Sequence, residues 1–378
     1  MTANTRREVL AAGLLLCGQG LVLSCRSWPE SASDALSGWR RDGLRTLRAA
    51  ADWCWAQQSE DGRFRSATYG LLRGGASLTP FVLLALHRAA ALPEEPTARA
   101  AQALLALQNE EGALGFEGPA PDYPCYATGM LLSALARTQA PGVRDASRAA
   151  VAWLRTQQFS SARGWADHPA QGGWGMGART PLTPPHAGHV DLSMTRRVIE
   201  GLRDAGLSPE DPCLIEARDF VMRCQSADGG FFYSPVEQAL NKGRRHSDGA
   251  PAGYGSATSD GLLCLLALGQ SETANAERAH HWLLAHHRND ANPGLENAPM
   301  ETFATAMRGY YRAGSSECFA RLRGPADWRR PMVESVVSEQ HEDGSFRNAN
   351  ALQKENDPLI ATAFAIQALA NALETGPA

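Results

Sequence analysis

The chain has 378 residues, 44% of them hydrophobic, enough to bury a sizeable core in one large repeat domain or in two ordinary ones. A net charge of -4 and a pI near 6.2 provide no whole-molecule field that would gather nucleic acid or an anionic membrane, so neither is expected as an electrostatic partner.

The N-terminus differs from the rest. Arg6-Arg7 precede an apolar stretch from Val9 to Leu23, then Ser24-Cys25 and polar residues. Residues 1–24 therefore predict an export signal, too short for a membrane span. The arginine pair resembles a twin-arginine signal, and Val22-Leu23-Ser24-Cys25 resembles a lipobox that would leave Cys25 lipidated. The expected location is outside the bacterial cytoplasm, as a periplasmic or cell-envelope lipoprotein held to the membrane through Cys25. Residues 25–36 read as a tether, and residues 37–378 as a single domain. Six cysteines remain in that domain. Their even number permits disulfides, although Cys264 lies in an apolar run and reads as a buried thiol.

Self-similarity organises the rest of the chain. The pattern Gln-x-x-acid-Gly occurs at Gln58, Gln108, Gln225 and Gln340, with degraded copies at Gln158, followed late by Gly164-Trp165, and at His287. Each ends an amphipathic segment with one apolar stripe, and each is followed by a loop and a more uniformly apolar segment. These apolar segments begin near Thr79, Tyr126, Asp191, Ser256, Glu301 and Asp357, where Thr, Ser or Asp can cap a helix. Striped helices suit an outer layer and uniformly apolar ones an inner layer. The prediction is an all-α (α/α)6 toroid, with the long outer-to-inner loops at one end forming the mouth of a site.

The repeats, with aromatics after the glycine as in Asp228-Gly229-Gly230-Phe231 and Asp343-Gly344-Ser345-Phe346, resemble the QW repeats of squalene and oxidosqualene cyclases and those of protein prenyltransferase β subunits. Strings such as Asp191-Leu192-Ser193-Met194-Thr195 and Tyr254-Gly255-Ser256-Ala257-Thr258 resemble bacterial prenyltransferase and squalene oxidase repeat-containing proteins. The resemblance implies the toroid and a hydrophobic or isoprenoid-like small molecule as partner; no cofactor is expected. Squalene-hopene cyclases start their reaction with the middle Asp of Asp-x-Asp-Asp-Thr. Here Ser193 stands at that position, and a hydroxyl cannot protonate an alkene. The zinc site that prenyltransferases build from Asp-x-Cys and a later His is likewise not expected.

Candidate site residues follow from the mouth. Asp191, Glu301 and Asp357 at inner-helix starts form a possible acid/base set, or else complement helix dipoles. Tyr126, Tyr254, Phe303, Tyr310 and Tyr311 suit an apolar lining that stabilises cations, or an ordinary core. Thr195 and Thr258 stand beside them. Lys242, Arg244 and Arg245 in a mouth loop offer an anion site, or a solvated charge run. His186, His189 and Asp191 have spacing that a metal tolerates, against hydrogen-bonded loop histidines; no metal is assigned. Trp165 and Trp174, among glycines, fit a lid or glycan contact, or packing. The leading expectation is ligand binding in the central cavity. A noncatalytic envelope scaffold and a carbohydrate-active lyase or hydrolase are the alternatives.

Overall fold

The computed structural model describes residues 37–375. The export signal, Cys25 and the tether lie outside them. Thirteen helices follow in order: α1 (Gly38–Ala56), α2 (Leu78–Arg88), α3 (Glu94–Leu107), α4 (Pro124–Leu135), α5 (Val143–Gln157), α6 (Leu192–Asp204), α7 (Pro212–Arg223), α8 (Gly255–Ala267), α9 (Ala274–His286), α10 (Phe303–Ala306), α11 (Arg308–Arg321), α12 (Arg329–Val337) and α13 (Pro358–Leu373). Among the described residues there is no strand, only three isolated bridges within loops.

Helices α2, α4, α6, α8, α11 and α13 each pack on the next, and α13 returns to α2, so the inner layer closes. The others pack outside it, apart from the one-turn α10, which precedes α11. Burial separates the layers: every residue of α4 except Tyr126 is buried, whereas α1 buries only a stripe including Leu47, Ala50 and Cys54. This is the (α/α)6 toroid that the two kinds of apolar pattern predict.

The repeat explains itself in hydrogen bonds. Gln58 Nε2 donates to Gly62 O in its own turn at 3.1 Å and to Pro96 O at the start of the next outer helix at 2.9 Å. Gln108 does the same to Gly112 and Ala146, and Gln225 to Gly229 and Asn275. Gln340 reaches Gly344 O and, at 2.9 Å, Thr46 O of α1, which joins the last outer helix to the first. The glycines are required twice over. Gly62 has φ +84°, and a Cβ there would lie 2.4 Å from Arg99 O on the neighbouring helix.

The degraded copies resolve differently from the expectation. Gln158 Nε2 bonds Gly172 O and Cys213 O, so Gly172 and Trp174 take the repeat's places and Gly164-Trp165 belongs to an insertion. His287 does not staple the next outer helix. Its Nδ1 lies 3.3 Å from Tyr311 Oη within its own pair.

A second hydrogen bond recurs. In five of the six pairs a threonine inside the inner helix accepts the backbone N–H two residues after the repeat glycine: Phe64 on Thr79, Leu114 on Thr128, Trp174 on Thr195, Phe231 on Thr258 and Phe346 on Thr362. These threonines therefore pin the loops and do not cap helices. Capping of α6 and α13 falls to Asp191 and Asp357. All six cysteines of the described residues are buried and free, and no helix among them is long and apolar enough to cross a membrane.

Candidate functional site

At the end of the ring where the inner helices begin, a cavity of about 410 Å³ opens between them. That volume lies within the range of roughly 300–1,000 Å³ common for small-molecule sites. Its apolar wall comes from Leu78 and Phe81 on α2, Met194 on α6, Met307 ahead of α11, and Ile360 and Phe364 on α13. Five tyrosines, Tyr123, Tyr126, Tyr233, Tyr254 and Tyr310, complete it. Phe81 and Tyr310 pack against Phe364, with centroids 5.1 and 5.5 Å away. The polar groups in the wall include Ser193, His189, Lys242, Asp260, Lys354 and Glu355.

Asp260 is the carboxyl at the centre of this arrangement. It sits in α8 six residues after Tyr254 and is buried. Tyr310 Oη lies 2.7 and 2.9 Å from its two oxygens, and Arg196 Nη1 donates to it at 2.9 Å. Arg196 also binds Glu200 at 2.7 Å and Glu317 at 3.2 Å, so three carboxyls converge on one buried guanidinium. Burial works to raise all three pKa values, and the outcomes diverge. Arg321, Arg88 and Arg196 hold Glu317 below the usual carboxylate range. Arg196 and Arg197 do the same for Glu200. Asp260 has less cationic company and its pKa stays raised. Of the three it is the one that retains a proton most readily, and it alone lines the cavity at this end.

Ser193, at the position where the sequence resemblance places the cyclase acid, does not stand alone. Its Oγ is 2.9 Å from Tyr310 Oη, so two hydrogen bonds connect that position to Asp260 on another helix. The signal for Asp260 is present in the sequence: it is the only charged residue in the run Ser256–Leu268.

Glu355 lies on the opposite side of Tyr310. It accepts the backbone N–H of Gly309 at 2.9 Å and of Tyr310 at 2.8 Å, and it caps α11 from outside that helix. Burial pushes its pKa up to about 7, against the opposing effect of those donors and of Asn348.

The predicted residues separate into three groups. Tyr126, Tyr254 and Lys242 line the cavity, and Phe303 stands beside it, its ring centroid 5.5 Å from Lys242 Nζ. Asp191 is fully buried behind the wall. One oxygen accepts Met194 N at 2.8 Å, and the other lies 2.8 Å from His189 Nε2, which is also 3.0 Å from Tyr233 Oη. The Asp191 carboxylate beside the imidazole raises its pKa, and His189 stands between Asp191 and the cavity. The remainder do not meet at the site. Asp357 caps α13 and bonds Ser66, and Thr195 and Thr258 are committed to the loop bonds above. Glu301 is exposed because the fifth inner helix begins seven residues later than expected, at Arg308, after the one-turn α10. Arg244 and Arg245 face solvent, since a small hairpin turns them away through the Ala252 N to Arg244 O bond.

His186 is exposed, and no group of three potential metal ligands occurs among the described residues. Asp-x-Cys, the string from which prenyltransferases build their zinc site, does occur twice, as Asp52-Trp53-Cys54 and Asp211-Pro212-Cys213. Both copies sit on outer helices. Asp211 caps α7 and pairs with Arg155, and Cys54 is buried in the α1 stripe. Trp165 and Trp174 are fully buried, which makes them packing residues and not a lid.

No model of a known protein family and no curated protein matches the chain. Solved structures do. The type II terpene cyclase MstE from Scytonema, in complex with its substrate geranylgeranyl dihydroxybenzoate, aligns at a TM-score of 0.57 and 12% identity over 89% of this chain and 99% of that one. The same cyclase with its product merosterolic acid A gives 0.56 and 14% over the same shares. A glycosyl hydrolase of family 88 from Bacteroides vulgatus aligns at 0.54 and 10%, also over 89% and 99%. At these identities the likeness is one of fold: the chain shares the helical toroid with a terpene cyclase and with a glycosyl hydrolase alike.

Proposed function

We propose that the chain binds a hydrophobic, isoprenoid-like small molecule in the 410 Å³ cavity and that Asp260, positioned by Tyr310 and Arg196, donates a proton to it. The observation that carries the reading is a buried carboxyl, its pKa raised by burial and tied to Tyr310 and Arg196, in a wall that is otherwise mostly aliphatic and tyrosine. A carboxylic acid held neutral beside an apolar ligand is a proton donor, and tyrosine faces nearby stabilise positive charge that develops on the ligand. The likeness to toroids whose solved complexes hold a geranylgeranyl compound supports the ligand class. Export and lipidation at Cys25, read from the sequence, would place this activity at the cell envelope.

The test pairs ligand recovery with one substitution. Mass spectrometry of organic extracts of the purified protein is expected to find a co-purified isoprenoid-like lipid. Asp260→Asn is expected to lower its conversion by about 10²–10⁴-fold. Extracts free of any such lipid, or unchanged conversion by the variant, would sink the proposal.

A second reading rests on a specific feature: Asp260 and Glu355, both with raised pKa values, face one cavity, as a carbohydrate-active toroid needs. Oligosaccharide binding measured by calorimetry distinguishes it, and the apolar wall favours the first. A scaffold with a plugged ring is disfavoured by the open cavity.

A further inference from the structure

Lysine is nearly missing from this chain. Of 36 basic residues 34 are arginine, and the two lysines, Lys242 and Lys354, both line the cavity. Permanent charge is supplied elsewhere by arginine, as in the pairs Arg88–Glu317, Arg312–Glu339 and Arg137–Asp204. What an ammonium offers beyond that is a proton it can lose, leaving an amine that attacks carbonyl carbon.

Lys242 has the surroundings for this. It is 7% exposed, and the acceptor bonded to Nζ is Leu240 O at 3.4 Å. Among the described residues it makes no ion pair within 4 Å; the carboxylate of Asp191 acts on it only from further off. Its Nζ lies 4.5 Å from the Tyr233 ring centroid. Burial lowers its pKa, against the opposing pull of Asp191. Next to it stands a group that handles protons: Tyr233 Oη is 3.0 Å from His189 Nε2, which is 2.8 Å from Asp191. Lys354 differs, being half-buried with Nζ 5.7 and 5.8 Å from the rings of Tyr69 and Tyr123.

We infer that Lys242 is a nucleophile that condenses with an aldehyde or ketone carbonyl on the apolar ligand, forming an imine in the cavity. This rests on the hydrophobic-ligand reading above and names the reactive group of that ligand. The uncharged amine's lone pair forms the C–N bond while the carbonyl π pair moves to oxygen. That oxygen takes a proton from the His189–Tyr233 group and then a second, and it leaves as water. The nitrogen gives up its two protons in exchange and becomes the C=N nitrogen. One water is released, and neither oxidant nor reductant is consumed.

The scarcity of lysine makes the test clean, because the side chains of Lys242 and Lys354 and the amino terminus are the only amines to be labelled. The full chain is incubated with citronellal, a non-conjugated isoprenoid aldehyde, and cyanoborohydride, and adducts are located by peptide mass spectrometry. Binding of the corresponding alcohol, citronellol, is measured alongside. Labelling of Lys242 is expected to exceed that of Lys354 by about tenfold, to be suppressed by citronellol, and to persist in Lys354→Arg. Lys242→Arg, which keeps the charge, is expected to lose the adduct, with thermal unfolding followed to confirm that it folds. Protection by citronellol is read on the unaltered chain and does not depend on that variant. If citronellol binds but Lys242 is labelled no faster than Lys354, the imine proposal is overturned and the cavity reading stands. If neither probe binds, both fall.

Discussion

Glu355 shows how one side chain can serve two levels of the structure. It supplies the acceptors that the first turn of α11 lacks, and in doing so it is fixed in the cavity wall beside Tyr310. Its folded-state pKa of about 7 stands above the ordinary 4.5. The folded chain thus holds this proton more tightly than the unfolded chain. The resulting stabilisation is complete below pH 4.5 and is lost as the pH rises to about 7. Denaturant unfolding of the parent and of Glu355→Gln across that window is the measurement. The parent is expected to lose on the order of 3 kcal/mol relative to the variant between the two limits. Parallel curves would show that Glu355 titrates like an exposed carboxyl. Nothing in the sequence around Asn348–Asp357 points to this role, because the partners lie 45 and 46 residues away in the chain.

Between elements, the repeat is a joint and each of its residue types has a separate task. Glutamine ties two carbonyls together, glycine lets the neighbouring helix approach, and threonine holds the loop. Gly172 is the tightest of these joints: its φ is +83°, and a Cβ would stand 1.9 Å from Glu216 O on α7. Gly172→Ala is expected to destabilise the chain by more than about 1 kcal/mol, through both the left-handed backbone and the clash, as read from the urea midpoint. Gly164→Ala tests the reassignment of the third repeat. A Cβ there meets only Pro184 Cγ at 3.7 Å, so the variant carries the cost of φ +84° without that clash and is expected to lose less. An equal loss at both positions would undermine the joint. The four regular copies were legible because their glutamine and glycine are close in sequence. The third was misread because an insertion separates Gln158 from Gly172 while leaving them in contact.

Across the whole molecule, the ring is divided by charge. The apolar cavity ends at the Arg196–Asp260–Glu317 group, and beyond it, among the C-terminal halves of the inner helices, lies a polar space of about 970 Å³ walled by Arg88, Arg137, Arg203 and Arg321 among others. Arginines there suit the negative ends of the inner helices. Arg196 is the common partner of the partition. Removing it leaves several buried carboxyls short of their cation, so Arg196→Leu is expected to cost about 3–5 kcal/mol in chemical denaturation. It is also expected to push the Asp260 pKa further up, since Arg196 is the foremost influence lowering it. A variant as stable as the parent would show that the partition is not held by this residue.

The sequence by itself determined the class of fold and the end of the ring that opens. Periodicity and the glutamine–glycine spacing are local properties, and six copies of a local rule admit closure. It also marked Tyr126, Tyr254 and Lys242, which stand at inner-helix starts or in a mouth loop and therefore follow from topology. Tertiary structure decided which carboxyls face the cavity. Asp191, Glu301 and Asp357 share a place in the repeat, yet one is buried behind His189, one is turned to solvent and one caps a helix. Asp260 acquires its character from Arg196 and Tyr310, 64 and 50 residues away. A carboxyl's proton affinity depends on burial and on the charges around it, and those are fixed only when the six helices close on one another.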